Sequence, residues 1–311
     1  MNGKKLSRQY REHLSNFKVW KQRKHAKQWL IFPENIGPHL SIDETALSKG
    51  ELYTIITNKK AKGKKGAIVA IFSGTKVDPI IEQMLKIPIK KRLKVLEITL
   101  DMANSMKTIA KRCFPKAIQV TDRFHVQKLA LEALQNIRIK HRWDAIDLEN
   151  EEIKQARTSK QNYQPQVFIN GDTRKQLLAR SRYLLYKAPS KWTENQHQRS
   201  KILFNEYPDI KIAHNLTQEL RTIFNTASSI KIAYTKLAQW YNQVEKAGFK
   251  AFNTIANTIH INYKSILNYF INRSTNASAE SFNAKIKAFR AQFRGVKNIE
   301  FFLFRLTTIF A

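Results

Sequence analysis

The sequence contains almost no cysteine and no long hydrophobic stretch. Cys113 is the single cysteine among 311 residues, which excludes an internal disulfide framework and any zinc site built on paired cysteines. This composition favours a reducing, intracellular environment. The longest early apolar run covers residues 67–72, far short of the roughly 18 consecutive apolar residues that a membrane-spanning helix requires. We therefore expect a cytoplasmic chain without membrane insertion.

Glycine and proline are also scarce, and their distribution along the chain is uneven. The sequence has nine glycines and eight prolines, with six of the glycines in the first 74 residues and no proline after Pro208. Because these two residue types interrupt regular structure, turns are expected early in the chain and long helices late.

Acidic residues are few relative to basic ones. The chain has 24 Asp and Glu against 55 Lys and Arg, a formal net charge of +31. Such a surface attracts polyanions, nucleic acid above all, and 42% hydrophobic residues are too many for a disordered basic tail. We interpret residues 1–38 as a basic arm that holds DNA nonspecifically. Its cations are Lys4, Lys5, Arg8, Arg11, Lys18, Lys21, Arg23, Lys24 and Lys27.

Hydrophobic periodicity predicts a mixed α/β sheet followed by a helical region. Three short β-rich runs form an antiparallel meander, and helix and strand then alternate up to residue 121. From Val126 onward the pattern is helical, with a polar stretch at 147–165 as the expected exposed connection. The predicted strands cover residues 39–43, 51–57, 67–72, 93–100 and 117–121.

Three aspartates, Asp43, Asp101 and Asp122, each stand at the end of a predicted strand. Side chains at the ends of neighbouring strands converge in space, and Mg²⁺ takes a few carboxylates together with phosphate oxygens and water. Two such ions would clamp the attacking and leaving oxygens of a phosphodiester. The alternative is that each aspartate only caps the turn or helix after its strand.

Three runs of sequence resemble the DDE transposases of the ISL-three insertion-sequence family. They are Ser41-Ile-Asp-Glu-Thr-Ala-Leu-Ser-Lys-Gly-Glu-Leu-Tyr53, then Asp101-Met with Phe114-Pro-Lys-Ala-Ile-Gln-Val-Thr-Asp-Arg-Phe-His125, and Ser274-Thr-Asn-Ala-Ser-Ala-Glu-Ser-Phe-Asn-Ala-Lys-Ile-Lys287. The motifs are specific in this order and separation, and the resemblance extends from about Leu40 to the C-terminus.

The resemblance implies a ribonuclease H-like mixed sheet with a large all-α insertion before the last catalytic helix. It carries over Asp43, Asp101 and Glu280 as the catalytic acids, which hold two Mg²⁺ ions, with Mn²⁺ as a substitute. The implied reaction is strand cleavage followed by strand transfer. The implied domains are the arm at 1–38, the core at 39–125 and 271–311, and the helical insertion at 126–270.

Glu280 and Asn283 are expected near the start of one helix, capped by Ser278 or Asn276, with both side chains on the same face. His125 follows Asp122 by three residues, a pair that resembles a feature of several transposase groups. We interpret Asp122, His125 and Asn283 as supporting residues. For His125, a plain hydrogen-bonded histidine at a strand–helix junction is an equal alternative.

Two groups of cations are candidate DNA contacts. One is a hairpin tip, whose lysines would touch backbone phosphates without reading sequence. The other follows Glu280 on the same predicted helix. For both groups, a solvated surface is the alternative. The residues are Lys59, Lys60, Lys62, Lys64 and Lys65, followed by Lys285, Lys287, Arg290 and Arg294.

The chain departs from the family pattern at its start. Relatives usually carry cysteine-bearing zinc and helix-turn-helix segments there, whereas about 40 residues without cysteine precede Asp43. We therefore expect that a separate polypeptide recognises the ends of the insertion sequence or that the end-binding module has been lost. The expected partners are double-stranded DNA and further copies of this chain, in a nucleoid-associated assembly. Two alternatives stay open, a catalytically idle DNA-binding protein and a nuclease without strand transfer.

Overall fold

The computed structural model describes residues 3–48, 50–293 and 295–311. The chain divides into two compact units, one of residues 1–122 and 264–311 and the other of residues 123–263. Within the described residues, no helix is long and apolar enough to cross a membrane.

The first unit is built on a six-stranded mixed sheet in the order β1-β4-β3-β2-β5-β6. β2, β3 and β4 form the predicted antiparallel meander, and β5 and β6 run parallel to β2. The prediction of a mixed α/β sheet is therefore confirmed. β1, which pairs with β4 at the sheet edge, was not predicted because three residues carry no readable period. The strands are β1 (Trp29–Ile31), β2 (His39–Ser48), β3 (Glu51–Asn58), β4 (Ile68–Ser73), β5 (Glu97–Leu100) and β6 (Ile118–Thr121).

β2 is longer than the sequence indicated. Asp43 was predicted to end this strand, but the strand continues to Ser48 because β3 stays paired with it as far as Glu51. The parallel pairing with β5 stops earlier, at Ser41. Asp43 therefore lies within a strand, at the point where one of its two neighbours has ended.

Both faces of the sheet are covered by helices, because alternate strand residues point to opposite sides. On one face, Ile42 and Leu100 pack with Met106 of α4. On the other, Ile55 packs with Phe282 of α14 and with α15. The helices of this unit are α1 (Gly3–Gln9), α2 (Val77–Leu85), α3 (Ile89–Arg92), α4 (Asn104–Cys113), α13 (Tyr269–Asn272), α14 (Ala277–Gln292) and α15 (Ile299–Phe310).

The segment predicted as a basic arm is a folded part of the first unit. Phe17 is buried against Phe301 and Phe304 of α15, with ring centroids 5.3 and 5.5 Å away. Gln22 makes two side-chain hydrogen bonds to the backbone of Ile31 in β1. The packing of Phe17 and the hydrogen bonds of Gln22 attach the segment to the core, while Lys21, Lys24 and Lys27 stay exposed.

The second unit is all-helical. The polar stretch at 147–165, predicted as a connection, is helical up to Thr158. Its Glu, Lys, Arg, Ala and Leu residues are good helix formers. The charged residues among them are consistent with the exposure of this part of the helix. The helices are α5 (Arg123–Thr158), α6 (Arg174–Arg180), α7 (Arg182–Tyr186), α8 (Glu194–Glu206), α9 (Pro208–Thr226), α10 (Ile230–Ala247) and α11 (Lys250–Ile261), with α12 (Tyr263–Leu267) beginning at the boundary of the units.

Candidate active site

Two of the three predicted catalytic acids come shortly after the last paired residues of two neighbouring parallel strands. The pairing of β2 with β5 ends at Ser41 and Thr99. Asp43 lies in β2 two residues after Ser41, and Asp101 directly follows β5, two residues after Thr99. Each carboxylate is oriented by a backbone N–H. Asp43 Oδ1 accepts the N–H of Glu44 at 2.8 Å, and Asp101 Oδ1 accepts that of Ala103 at 2.7 Å. Through its bond to Ala103, Asp101 caps the turn after its strand, which is the role that the alternative interpretation of the sequence gave it.

The pKa values of two neighbouring groups, Glu44 and Lys107, depend in part on the charges of these acids. Burial raises the pKa of the Glu44 carboxyl above its usual value, and the negative charges of Asp101 and Asp43 raise it further. Burial lowers the pKa of the Lys107 ammonium, and the charge of Asp101 opposes that shift. Three carboxyl groups therefore share one region of negative potential, which is the kind of environment that attracts a cation.

The third acid, Glu280, lies in the first turn of α14 and is exposed. Asn276 is the N-cap residue of this helix but makes no side-chain capping bond. One turn after Glu280, Asn283 donates a hydrogen bond from Nδ2 to Oδ2 of Asp43 at 2.6 Å. This bond joins the helix that carries Glu280 to the strand that carries Asp43.

Asp122 is buried, with 2% of its surface exposed. Its own N–H donates to the carbonyl of Leu100 at 3.0 Å, which continues the pairing of β5 and β6. Its Oδ2 accepts the backbone N–H of Asn276 at 3.1 Å. Asp122 is thus attached to the residue at which α14 begins.

The stretches 3–48, 50–293 and 295–311 contain no group of three His, Cys, Asp or Glu side chains close enough to hold a metal ion together. Asp43 lies in β2 and Asp101 directly follows the neighbouring strand β5, whereas Glu280 lies in the first turn of α14. The prediction that all three acids hold metal stays a prediction.

The basic loop between β3 and β4 contains two kinds of lysine. Lys60, Lys62, Lys64 and Lys65 are exposed, as a phosphate-contacting tip requires. Lys59 points inward, where its Nζ lies 3.4 Å from Oε1 of the buried Glu97. Sequence alone did not separate Lys59 from the exposed lysines of the loop, because its partner lies on a distant strand.

The cations after Glu280 also differ from one another. Lys285 Nζ donates to the carbonyl of Gly63 in the basic loop at 2.9 Å, and the Arg290 guanidinium donates to the carbonyls of Ala46 and Leu47 at 3.4 and 3.3 Å. Lys287 is exposed. Arg294, the fourth predicted DNA contact in this group, lies outside the described residues.

His125 lies in the first turn of α5, in the second unit, and is half-buried. Its ring stands edge-on to that of Phe124, with the centroids 5.7 Å apart. Its predicted role in supporting catalysis stays a prediction.

Sequence reasoning missed Glu44 and Glu97. Glu44 directly follows Asp43, so the paired acids were a signal that could have identified it. Glu97 resembled an ordinary strand residue, and only the fold brings Lys59 and Ser274 to its carboxylate.

Residues 40–306 match the sequence profile of a protein family described as Transposase, the ISL-three group of DDE enzymes. No curated protein and no solved structure gives a significant match. The matched region includes Asp43, Asp101 and Glu280, and it covers well over half of the chain. This chain therefore belongs to the ISL-three family of DDE transposases.

Proposed function

We propose that this transposase cleaves and joins DNA strands by two-metal-ion phosphoryl transfer, with Asp43, Asp101 and Glu280 as the ligands of two Mg²⁺ ions. The observation that supports the proposal is the parallel pairing of β2 with β5 up to Ser41 and Thr99, because Asp43 and Asp101 each follow that pair by two residues. When bound, such ions supply an activated oxygen nucleophile and neutralise the charge on the leaving oxygen.

The donor set is compatible with Mg²⁺, and with Mn²⁺ in its place. Asp43 and Asp101 offer oxygen atoms, and burial raises the pKa of the neighbouring Glu44, with a further rise from the charges of these two aspartates. Mg²⁺ keeps several waters and needs only one or two carboxylates in addition to phosphate oxygens. Asp43 and Asp101 are therefore a sufficient protein contribution to one ion, and Glu280 is the proposed protein ligand of a second.

The chain's own residues orient these groups. The amide of Asn283 and the N–H of Glu44 donate to the two oxygens of Asp43, which fixes the plane of that carboxylate. In the proposed reaction, water attacks the phosphorus at the element end and releases a 3′-hydroxyl. That hydroxyl then attacks a phosphorus of the target, and the displaced target oxygen leaves as a new 3′-hydroxyl. The cleavage step is hydrolysis, which leaves a 5′-phosphate on the other strand end, and the joining step needs no external energy source because one phosphodiester replaces another.

We also propose a ribonuclease H-like core with a helical insertion. The six-stranded mixed sheet with helices on both faces supports the first part. The all-helical unit at 123–263 interrupts the sheet unit in sequence and supports the second part. The proposed bounds are 39–125 and 271–311 for the core and 126–270 for the insertion, whereas the helical unit of the structure comprises residues 123–263.

Double-stranded DNA, at the element ends and at the target, is the proposed substrate. The exposed lysines at 60, 62, 64 and 65 and the exposed Lys287 would contact its phosphates, which gives affinity without sequence readout. We propose that further copies of this chain assemble on the DNA.

The experiment is an assay of strand cleavage and strand transfer on labelled DNA from the ends of the element, with Mg²⁺ or Mn²⁺. A second substrate with an already cleaved end isolates the joining step. The proposal predicts that both steps occur and that both require the metal. Cleavage without joining would indicate a nuclease, and DNA binding without either step would indicate an idle DNA-binding protein.

A further inference from the structure

The segment that leads into α14 is held by two buried acids outside the proposed catalytic set. After α13, Arg273 adopts a left-handed backbone conformation with φ of 54°, which turns the chain toward α14. Ser274 then donates a hydrogen bond to Oε1 of Glu97, and the N–H of Asn276 donates to Asp122. Both ends of the segment 274–276 are thus attached to the sheet a few residues before Glu280.

Glu97 and Lys59 form the buried centre of the first attachment. The Lys59 ammonium lies 3.4 Å from Glu97, donates to the hydroxyl of Thr99 at 2.7 Å, and also donates to Ser274. Their side chains keep only 6% and 15% of their surface exposed. Burial lowers the pKa of the Lys59 ammonium, and the charge of Glu97 opposes this shift. A buried charge pair with further hydrogen bonds has a defined geometry, because any displacement leaves a charge without its partner.

The same centre fixes the basic loop. Lys59 is the first residue of that loop, and the carbonyl of Gly63 accepts a hydrogen bond from Lys285 of α14 at 2.9 Å. The loop is therefore attached both to the segment before α14 and to α14 itself. Its exposed lysines then have a set position relative to Glu280.

We propose that Glu97 and Lys59 are positioning residues for DNA cleavage, acting through Ser274. They hold the start of α14 so that Glu280 and Asn283 stay over Asp43. They also keep the basic loop in a fixed position relative to that helix. DNA held on the loop is thereby aligned with the catalytic acids. This inference rests on the proposed function. Its physical basis is that small displacements of a catalytic group cost much of the rate even when binding is intact.

The test uses Ser274→Ala, which removes the hydroxyl and leaves the Glu97–Lys59 ion pair in place. Ser274→Thr restores a hydroxyl and serves as the rescue variant. Ser281→Ala is the matched control, because Ser281 is an exposed serine of α14. Two quantities are measured on the full chain, the kcat and KM of DNA cleavage with Mg²⁺, and amide hydrogen exchange in the protein without metal or DNA.

For Ser274→Ala we expect kcat to fall by about tenfold to a hundredfold, with KM for DNA changed less than twofold. Exchange should accelerate in residues 274–283 and not in the strands. The threonine variant should recover most of kcat, and the Ser281 control should match the wild type. The proposal would be overturned if kcat and the exchange rates were both unchanged. It would also be overturned if kcat fell and KM rose to a similar extent while exchange accelerated throughout the chain.

Failure of the proposed function gives a different result. If the wild-type chain cleaves no DNA under any metal condition, the two-metal proposal fails. The exchange comparison still decides whether Ser274 holds the start of α14. Faster exchange confined to residues 274–283 supports the positioning role, and wild-type exchange contradicts it.

Discussion

The side-chain amide of Asn283 donates a 2.6 Å hydrogen bond to Asp43 across a sequence separation of 240 residues. The bond connects β2, at the centre of the sheet, with α14, which carries Glu280 one turn away. The first and last of the proposed catalytic acids, Asp43 and Glu280, therefore belong to elements in direct contact, although the sequence between them includes a complete helical unit.

Replacement of Asn283 by alanine should weaken metal binding and lower the free energy of unfolding. The lost hydrogen bond costs about 2 kcal/mol of stability, because a bond to a charged group contributes roughly 1.5–3 kcal/mol. Groups that orient metal ligands usually affect metal affinity by about 10-fold to 100-fold. Mn²⁺ titration followed by electron paramagnetic resonance measures this directly. Gln292→Ala, at an exposed position of the same helix, is the control. Wild-type Mn²⁺ affinity in Asn283→Ala would show that the contact does not serve a metal site.

Replacement of the exposed lysines at 60, 62, 64 and 65 by alanine should weaken DNA binding equally for all sequences. Each lysine that contacts a phosphate should reduce the slope of log affinity against log salt by about 0.9. Fluorescence anisotropy at several salt concentrations gives this slope. Lys246→Ala, at an exposed position of α10, is the charge-matched control. If the quadruple variant keeps the wild-type salt slope, the loop does not contact DNA.

The thiol of Cys113 should be inert in the native protein. It is fully buried, and burial raises its pKa to about 11, against the opposing charges of Arg92 and Arg112. Since the thiolate is the reactive form, iodoacetamide should modify it only after unfolding. Mass spectrometry over time, with and without guanidinium, measures the rate. Ser281→Cys supplies an exposed thiol for comparison, and equal rates at the two positions would contradict the prediction.

The second unit should lose stability as the pH falls below neutrality. Burial lowers the pKa of His214 to about 4, a hydrogen bond with the backbone of Lys187 opposes this shift, and the charge of Arg221 adds to it. The unfolded chain binds a proton near pH 6.5, which the folded chain does not bind until about pH 4. The stabilising contribution is therefore complete above about pH 6.5 and decreases toward pH 4, by about 3 kcal/mol in total.

Urea unfolding of the full chain at pH 7 and pH 4.5 tests the role of His214, with amide exchange in α9 as the local readout. His214→Gln should reduce the difference between the two pH values, because glutamine does not titrate. An equal pH dependence in the variant and the wild type would assign the effect to other groups.

The sequence was informative wherever the signal was local. The antiparallel meander followed by parallel strands was readable from short β-rich runs and from alternating helix patterns. The extension of β2 to Ser48 was not, since pairing with β3 carries the strand past the point where the predicted run ended. α5 was underestimated for a similar reason, because an exposed helix and a polar loop have nearly the same composition.

The candidate site was partly predictable for the same physical reason. Asp43 and Asp101 follow from strand patterns, because parallel register brings neighbouring strand positions together. The inward orientation of Lys59 depends on Glu97 and Ser274, which lie 38 and 215 residues away in sequence. No local pattern encodes a contact of that kind.

The central claim is that Asp43, Asp101 and Glu280 perform metal-dependent strand cleavage and transfer. The most direct measurement compares the intact chain with Asp43→Asn, Asp101→Asn and Glu280→Gln on labelled DNA from the element ends, with Mg²⁺ or Mn²⁺. These variants keep the side-chain shape and remove only the charge. The account predicts that each substitution abolishes cleavage and joining while DNA binding and folding persist. Wild-type cleavage in any one of the three variants would contradict it.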